Sequence, residues 1–169
     1  PFVIYESEIE GTNSNIILRA TNGISVFGNS TILIMNNRDL TLETQNASGE
    51  RSSGIDLTGM TFQTQGTGKI TLRTGTDGGD TGTASITTGG LRTDTGSISI
   101  SSEGAVSLAG DIITRNGLSV VAGGTITDSG SIAVTGLGSF DAGTNNITPG
   151  DGTNTANFGS STFNTTTGA

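Results

Sequence analysis

The chain has 169 residues and a net charge of -8; 28 of its residues are Gly, aromatics make up only 4%, and His, Cys and Trp are absent. This composition excludes disulfides, thiolate or imidazole metal ligands and any catalysis that needs Cys or His. Its acidity, with seven scattered Lys and Arg, speaks against nucleic acid or anionic membrane surfaces as partners, and no apolar run reaches the roughly 18 residues of a membrane-spanning helix.

Residues 1–10 read as an extended segment with Ile4, Glu6, Glu8 and Glu10 on one face, the three glutamates forming a solvated strand surface. The chain opens at Pro1 with strand-like residues and not with a basic start and apolar stretch, so a mature portion or an excised fragment is expected. From 15 to 46 come the apolar strands Ile16-Ile-Leu18, Ile24-Ser-Val-Phe27, Ile32-Leu-Ile-Met35 and Leu40-Thr-Leu42, separated by turn pairs such as Asn22-Gly23 and Asn36-Asn37. Two polar bulges are expected at 45–54 and 75–83, with strands Ile55-Asp-Leu57, Met60-Thr-Phe62 and Lys69-Ile-Thr-Leu72 between them.

Segments 85–104, 105–124 and 125–144 superpose without a gap: Ile86, Val106 and Ile126 fall in register, as do Gly90, Gly110 and Gly130, and Ile100, Val120 and Phe140. A repeat of twenty residues cannot enclose a core alone and must bury its aliphatic residues on the same positions of its neighbours, as a solenoid does. The apolar residues alternate at period two, as in Ile98 with Ile100 and Ile132 with Val134, which argues for strands and against both disorder and helix. Beyond 145 the pattern thins, leaving Ile147, Phe158 and Phe163 as anchors, and neither end shows a capping helix or a charged cap.

The expected fold is all-β, a right-handed parallel β-helix with about 20 residues per coil, the hand following the general bias of parallel connections. The whole of 1–169 forms one segment, a piece of a longer repeat protein, with 85–144 its most regular part. At a rung spacing of roughly 4.8 Å this predicts about eight rungs and a rod of about 40 Å. Two positions fit poorly: Arg92 aligns with Ile112 and Ile132, requiring a register shift or an outward bulge, and Asp128 aligns with Leu108.

Motifs for chemistry are scarce. Gly66-Thr-Gly-Lys69 lacks the spacing and following hydroxyl of a phosphate-binding loop, and no nucleophile elbow occurs. Asp77-Gly-Gly-Asp80 matches one fragment of a calcium-binding repeat that works only in tandem, and reads as a turn. Asp94, Asp111 and Asp128 occupy three different repeat positions and so form no acidic ladder of the kind a glycosidase or lyase would use. Thr93-Asp-Thr95, Thr125-Ile-Thr127 and Thr165-Thr-Thr167 have the spacing of ice-binding ladders without recurring at one position. No catalytic, cofactor or metal residue is assigned, and the segment is read as non-enzymatic.

The repeats Gly117-Leu-Ser-Val-Val-Ala-Gly-Gly124, Gly68-Lys-Ile-Thr-Leu-Arg-Thr74 and Gly96-Ser-Ile-Ser-Ile-Ser-Ser102 resemble the shaft repeats of filamentous haemagglutinin-like exoproteins, as does Gly138-Ser-Phe-Asp-Ala-Gly-Thr-Asn-Asn-Ile147 followed by Asn157-Phe-Gly159. The resemblance implies a bacterial secreted or outer-membrane-associated surface protein whose shaft projects an adhesive region. From the lack of visible caps, open rung edges are expected to stack end to end on neighbouring repeats or further copies, giving a filament, and host or matrix glycans or proteins are the other expected partners. The alternative expectation is a carbohydrate-binding or polysaccharide-degrading β-helix of tailspike or lyase type.

Overall fold

Short strands that alternate aliphatic and hydroxyl residues each have one face to bury and too few residues to bury it alone. The computed structural model describes residues 4–45, 54–75, 84–150 and 153–166. In it the chain winds as a parallel β-solenoid of about five turns, roughly 24 residues apart. After a short helix, α1 (Glu6–Glu10), the first coil contains β1 (Ile16–Ala20), β2 (Gly23–Ser25) and β3 (Thr31–Ile34), and the second β4 (Leu40–Thr44), β5 (Gly54–Asp56) and β6 (Thr61–Thr64). The third contains β7 (Ile70–Arg73), β8 (Ile86–Thr88) and β9 (Gly90–Arg92), and the fourth β10 (Ile98–Ser102), β11 (Val106–Leu108) and β12 (Ile112–Thr114). The fifth begins with β13 (Leu118–Ala122) and β14 (Ile126–Asp128) and ends in β15 (Ile132–Asp141), which rounds the corner unbroken into a last coil continued by β16 (Ile147–Thr148) and β17 (Ala156–Asn164).

Equivalent strands stack into three faces. Face 1 runs β1-β4-β7-β10-β13 to the second half of β15; face 2 runs β2-β5-β8-β11-β14-β16; face 3 runs β3-β6-β9-β12 to the first half of β15, and β17 lies along β15. Inward positions form aliphatic columns: Leu42, Leu72, Ile100, Val120 and Phe140 on face 1, and Ile55, Ile86, Val106 and Ile126 on face 2. Each such side chain contributes roughly 1.5–3 kcal/mol by leaving water.

The solenoid agrees with the sequence; its pitch in residues is less uniform than the sequence suggests. The 20-residue step holds from Ile98 to Leu118 and on to Gly138, whereas Ile16 to Leu40 takes 24 residues and Leu40 to Ile70 takes 30. The longer coils consume chain, so about five turns separate β1 from the second half of β15, and with β17 face 1 stacks seven strands in place of the expected eight rungs. The regular block also holds one slip. Thr88 pairs with Leu108, but Leu91 pairs with Ile112 and Arg92 with Ile113, because one extra residue enters the corner between β11 and β12. Leu91 thereby takes the inward site and Arg92 turns outward.

The N-terminal expectation is corrected. Residues 6–10 are helical, and this end carries a capping helix with charged groups. The Glu8 carboxylate accepts the Tyr5 N–H at 2.8 Å, Ile9 enters the core, and the Glu10 carboxylate accepts the Leu33 N–H of β3 at 2.9 Å. A helix forms because Ile9 can cover the first coil from it while carboxylates in its first turn suit the helix dipole and the edge N–H of β3. The expected bulges at 45–54 and 75–83, and Asp77 with Asp80, lie almost wholly outside the described residues.

Corners turn backbone polar groups inward, and buried hydroxyls satisfy them. At the corner between faces 3 and 1, Thr64 donates to the Gly68 carbonyl at 2.7 Å, while Thr93 and Thr114 both donate to Gly96, at 2.7 and 2.9 Å. At the corner between faces 1 and 2, Thr74 and Ser102 both donate to the Ala84 carbonyl. Backbones approach so closely here that a Cβ on Gly96 would stand 1.9 Å from the Gly68 oxygen, whereas one on Gly117 would meet nothing nearer than 3.4 Å. Gly96→Ala is therefore expected to cost about 1–3 kcal/mol in denaturant unfolding, as overpacking does, and Gly117→Ala less than about 0.5 kcal/mol.

Candidate functional site

With the interior filled, chemistry is left to the outer surface. On face 1 the outward residues Thr41, Thr71, Ser99, Ser119, Ser139 and Thr162 stand in one hydroxyl column from β4 to β17. Face 2 carries a second, Thr87, Ser107, Thr127 and Thr148. The column beside the first is mixed, running Arg19, Glu43, Arg73, Ser101, Val121 and Asp141, so among the described residues face 1 holds no double threonine array. Of the Thr pairs singled out in the sequence, Thr93 faces the interior and Thr95 donates to the Gly66 carbonyl.

Arg19, Glu43 and Arg73 lie in register on three successive coils and form a charged ladder. Arg19 Nε donates to Glu43 Oε1, and Arg73 donates to Oε2 at 2.6 Å. Glu43 is 2% exposed although it points away from the core, while Arg19 and Arg73 are 59% and 46% exposed. Desolvation acts most strongly on the carboxyl and raises it; the hydrogen bonds and charges of the two guanidiniums together outweigh it, so Glu43 titrates below its ordinary value of 4.5. Asp56 is held low by hydrogen bonds from the Thr58 hydroxyl and N–H, and Asp141 by the Gly143 N–H and the Asn164 amide.

A shallow depression of about 240 Å³ lies at the corner between faces 2 and 3, floored by Gly59, Gly89, Gly90 and Gly110 with Thr58 and Thr61 at its side. Arg92 and Asp111, 3.7 Å apart, stand on it. The acids considered in the sequence do not converge: Asp111 faces Arg92, Asp94 binds Arg115 at 2.9 Å, and Asp128 is buried. Asp128 occupies an inward site beside Leu108, where its carboxylate accepts the Gly130 N–H at 3.1 Å and the Gly150 N–H at 3.2 Å, tying the fifth coil to the next. The glutamates of 6–10 serve α1 and β3. Among the described residues no group of three or more His, Cys, Asp or Glu could hold a metal ion.

Sequence reading missed the charged ladder and the hydroxyl columns because their members are spaced 24, 30, 28 and 20 residues apart. A search for outward Thr or Ser one residue after each inward aliphatic start (Leu40, Ile70, Ile98, Leu118) would have found the face 1 column.

Two outcomes are expected. Because the Glu43 carboxyl is depressed, the ladder's contribution is full above about pH 4.5 and is lost as pH falls through the folded-state value. Glu43→Gln should lower stability by about 1–3 kcal/mol at neutral pH, and its difference from the parent should shrink in acid, read by urea melts across pH. Thr88 is the opposite case: its hydroxyl is buried and unpartnered in the column between Leu57 and Leu108, so Thr88→Val should raise stability by about 1 kcal/mol in the same melts. Compared with known proteins, the chain matches no family model, no curated protein and no solved structure.

Proposed function

We propose that this segment is a structural, non-enzymatic shaft of a secreted or cell-surface bacterial fibre or adhesin, acting by stiffness and reach. The observation that carries the reading is the continuity of the inward columns: face 1 stacks without interruption from Leu18 through Phe140 to Phe163. Six steps of roughly 4.8 Å make a rod about 30 Å long in which each coil touches only its neighbours. The hydroxyl columns keep its sides soluble with few charges. Repeat likeness to filamentous haemagglutinin-like shafts supports the placement at a bacterial surface.

A second reading, a carbohydrate-binding or carbohydrate-degrading solenoid, draws on the depression at Arg92 and Asp111 with its flanking threonines. Pulling tests the coil-on-coil stacking on which the shaft reading rests, and a degradation assay separates the two readings. Pulled by its ends in a force spectrometer, a shaft yields coil by coil, each twenty-residue coil releasing roughly 65 Å of chain. Release of reducing ends from a polysaccharide panel, abolished by Asp111→Asn, would overturn the shaft reading in favour of the second.

A further inference from the structure

The four ion pairs among the described residues differ in how far they close. Arg73 donates to Glu43 at 2.6 Å, Arg19 closes on the same carboxylate, and Arg115 donates to Asp94 at 2.9 Å. Arg92 and Asp111 stand 3.7 Å apart, beyond hydrogen-bond reach, with both side chains half exposed. Asp111 Oδ1 accepts the Ser131 N–H at 3.2 Å, and neither side chain makes another hydrogen bond among the described residues. The guanidinium fork and Asp111 Oδ2 thus keep their capacity for a further group.

The space between them is shaped by the backbone. Thr61 pairs with Gly90, and on the next coil Asp111 precedes Ile112 as Gly90 precedes its partner Leu91. Gly90 therefore leaves the column open between the Thr61 and Asp111 side chains: a Cβ there would stand 2.6 Å from the Thr61 hydroxyl. Bare backbone continues along the corner on either side, since a Cβ on Gly59 would meet the Gly28 carbonyl at 3.0 Å and one on Gly130 the Gly110 carbonyl at 2.4 Å. The notch belongs to the second, third and fourth coils, with further coils on both sides, so where the sequence begins and ends has no part in its shape.

We infer that this notch binds a neutral polysaccharide strand lying along the corner, with one sugar ring seated between Thr61, Arg92 and Asp111. Two polar groups 3.7 Å apart are bridged by a hydroxyl that donates to the carboxylate and accepts from the guanidinium, and a ring with adjacent hydroxyls meets both groups at once. At about 240 Å³ and shallow, the notch is smaller than the roughly 300–1,000 Å³ pockets that enclose a small ligand, so it suits one unit of a chain that runs on past it. The opposite charges of Arg92 and Asp111 cancel, and a chain of net charge -8 repels uronates and sulfated sugars. The site binds and does not cleave, since cleavage takes two convergent carboxylates, and Asp56 is bound to Thr58 while Asp94 is bound to Arg115. This site rests on the carbohydrate reading of the depression and narrows it to binding, which a shaft can also carry.

The test is retention of the 169-residue chain on arrayed oligosaccharides of glucose, galactose and mannose, beside uronate and sulfated oligosaccharides, with reducing-end release measured on the same sugars. Arg92→Gln removes the guanidinium, Asp111→Asn removes the charge while keeping an acceptor for the Ser131 N–H, and Arg115→Gln is the control in an exposed, closed pair. The expected result is binding to at least one neutral oligosaccharide, weakened about tenfold or more by Arg92→Gln and by Asp111→Asn and little changed by Arg115→Gln, with all variants melting near the parent and no reducing ends released. Binding confined to the anionic sugars, or equal binding by the parent and the Arg92 and Asp111 variants, would overturn the site and leave the carbohydrate reading standing at another surface. Release of reducing ends would overturn binding without cleavage while upholding that reading. Binding to no sugar would overturn both.

Discussion

Everything in this molecule depends on one constraint: each coil's backbone N–H and C=O groups find their partners on the coils above and below, so the stacking register must be kept at every turn. Register then decides what each side chain does. An aliphatic residue in the inward set extends a column, and one residue further on the same side chain would face water. The slip at Arg92 illustrates the rule, since the chain takes in one extra corner residue so that Leu91 occupies the column and the guanidinium does not. Nearest-neighbour contact also makes the rod tolerant of coils of unequal length, provided the three strands return to their columns.

Polar groups are handled by position. Inward hydroxyls at the corners, such as Thr64, Thr114 and Ser102, are matched to carbonyls that the turns direct inside, which is why they are no defect in the core. Asp128 follows the same logic with a stronger acceptor, binding two N–H groups on different coils. Thr88 shows the contrast, with the same side chain and no carbonyl to receive it. The Arg19, Glu43 and Arg73 ladder sits outside the core, where solvent around the arginines moderates both the gain and the penalty of the pairing.

Much of this was legible in residues 85–144, because there the repeat is short and nearly gapless. Ile98, Leu118 and Gly138 can be aligned by eye, and the parallel solenoid follows from that alone. In 15–75 the same columns exist, but extra corner residues hide the period, so Arg19, Glu43 and Arg73 could not be recognised as neighbours. The helix at 6–10 was hidden for another reason: five residues alternating Glu with Ser and Ile look like a strand, and only the packing of Ile9 and the capture of the Leu33 N–H decide otherwise. Function was the least legible, since a rod whose side chains chiefly hold one another leaves few residues with an unexplained purpose.

Most of the extra length of the second and third coils falls in the same place in both: between β4 and β5 and between β7 and β8, at the corner leading from face 1 to face 2. Elsewhere that corner is short, as between β10 and β11 or β13 and β14. Two neighbouring rungs therefore admit added sequence at one shared edge while their strands stay paired. Sequence added at that corner accordingly leaves unchanged the strand pairing from which the rod is built.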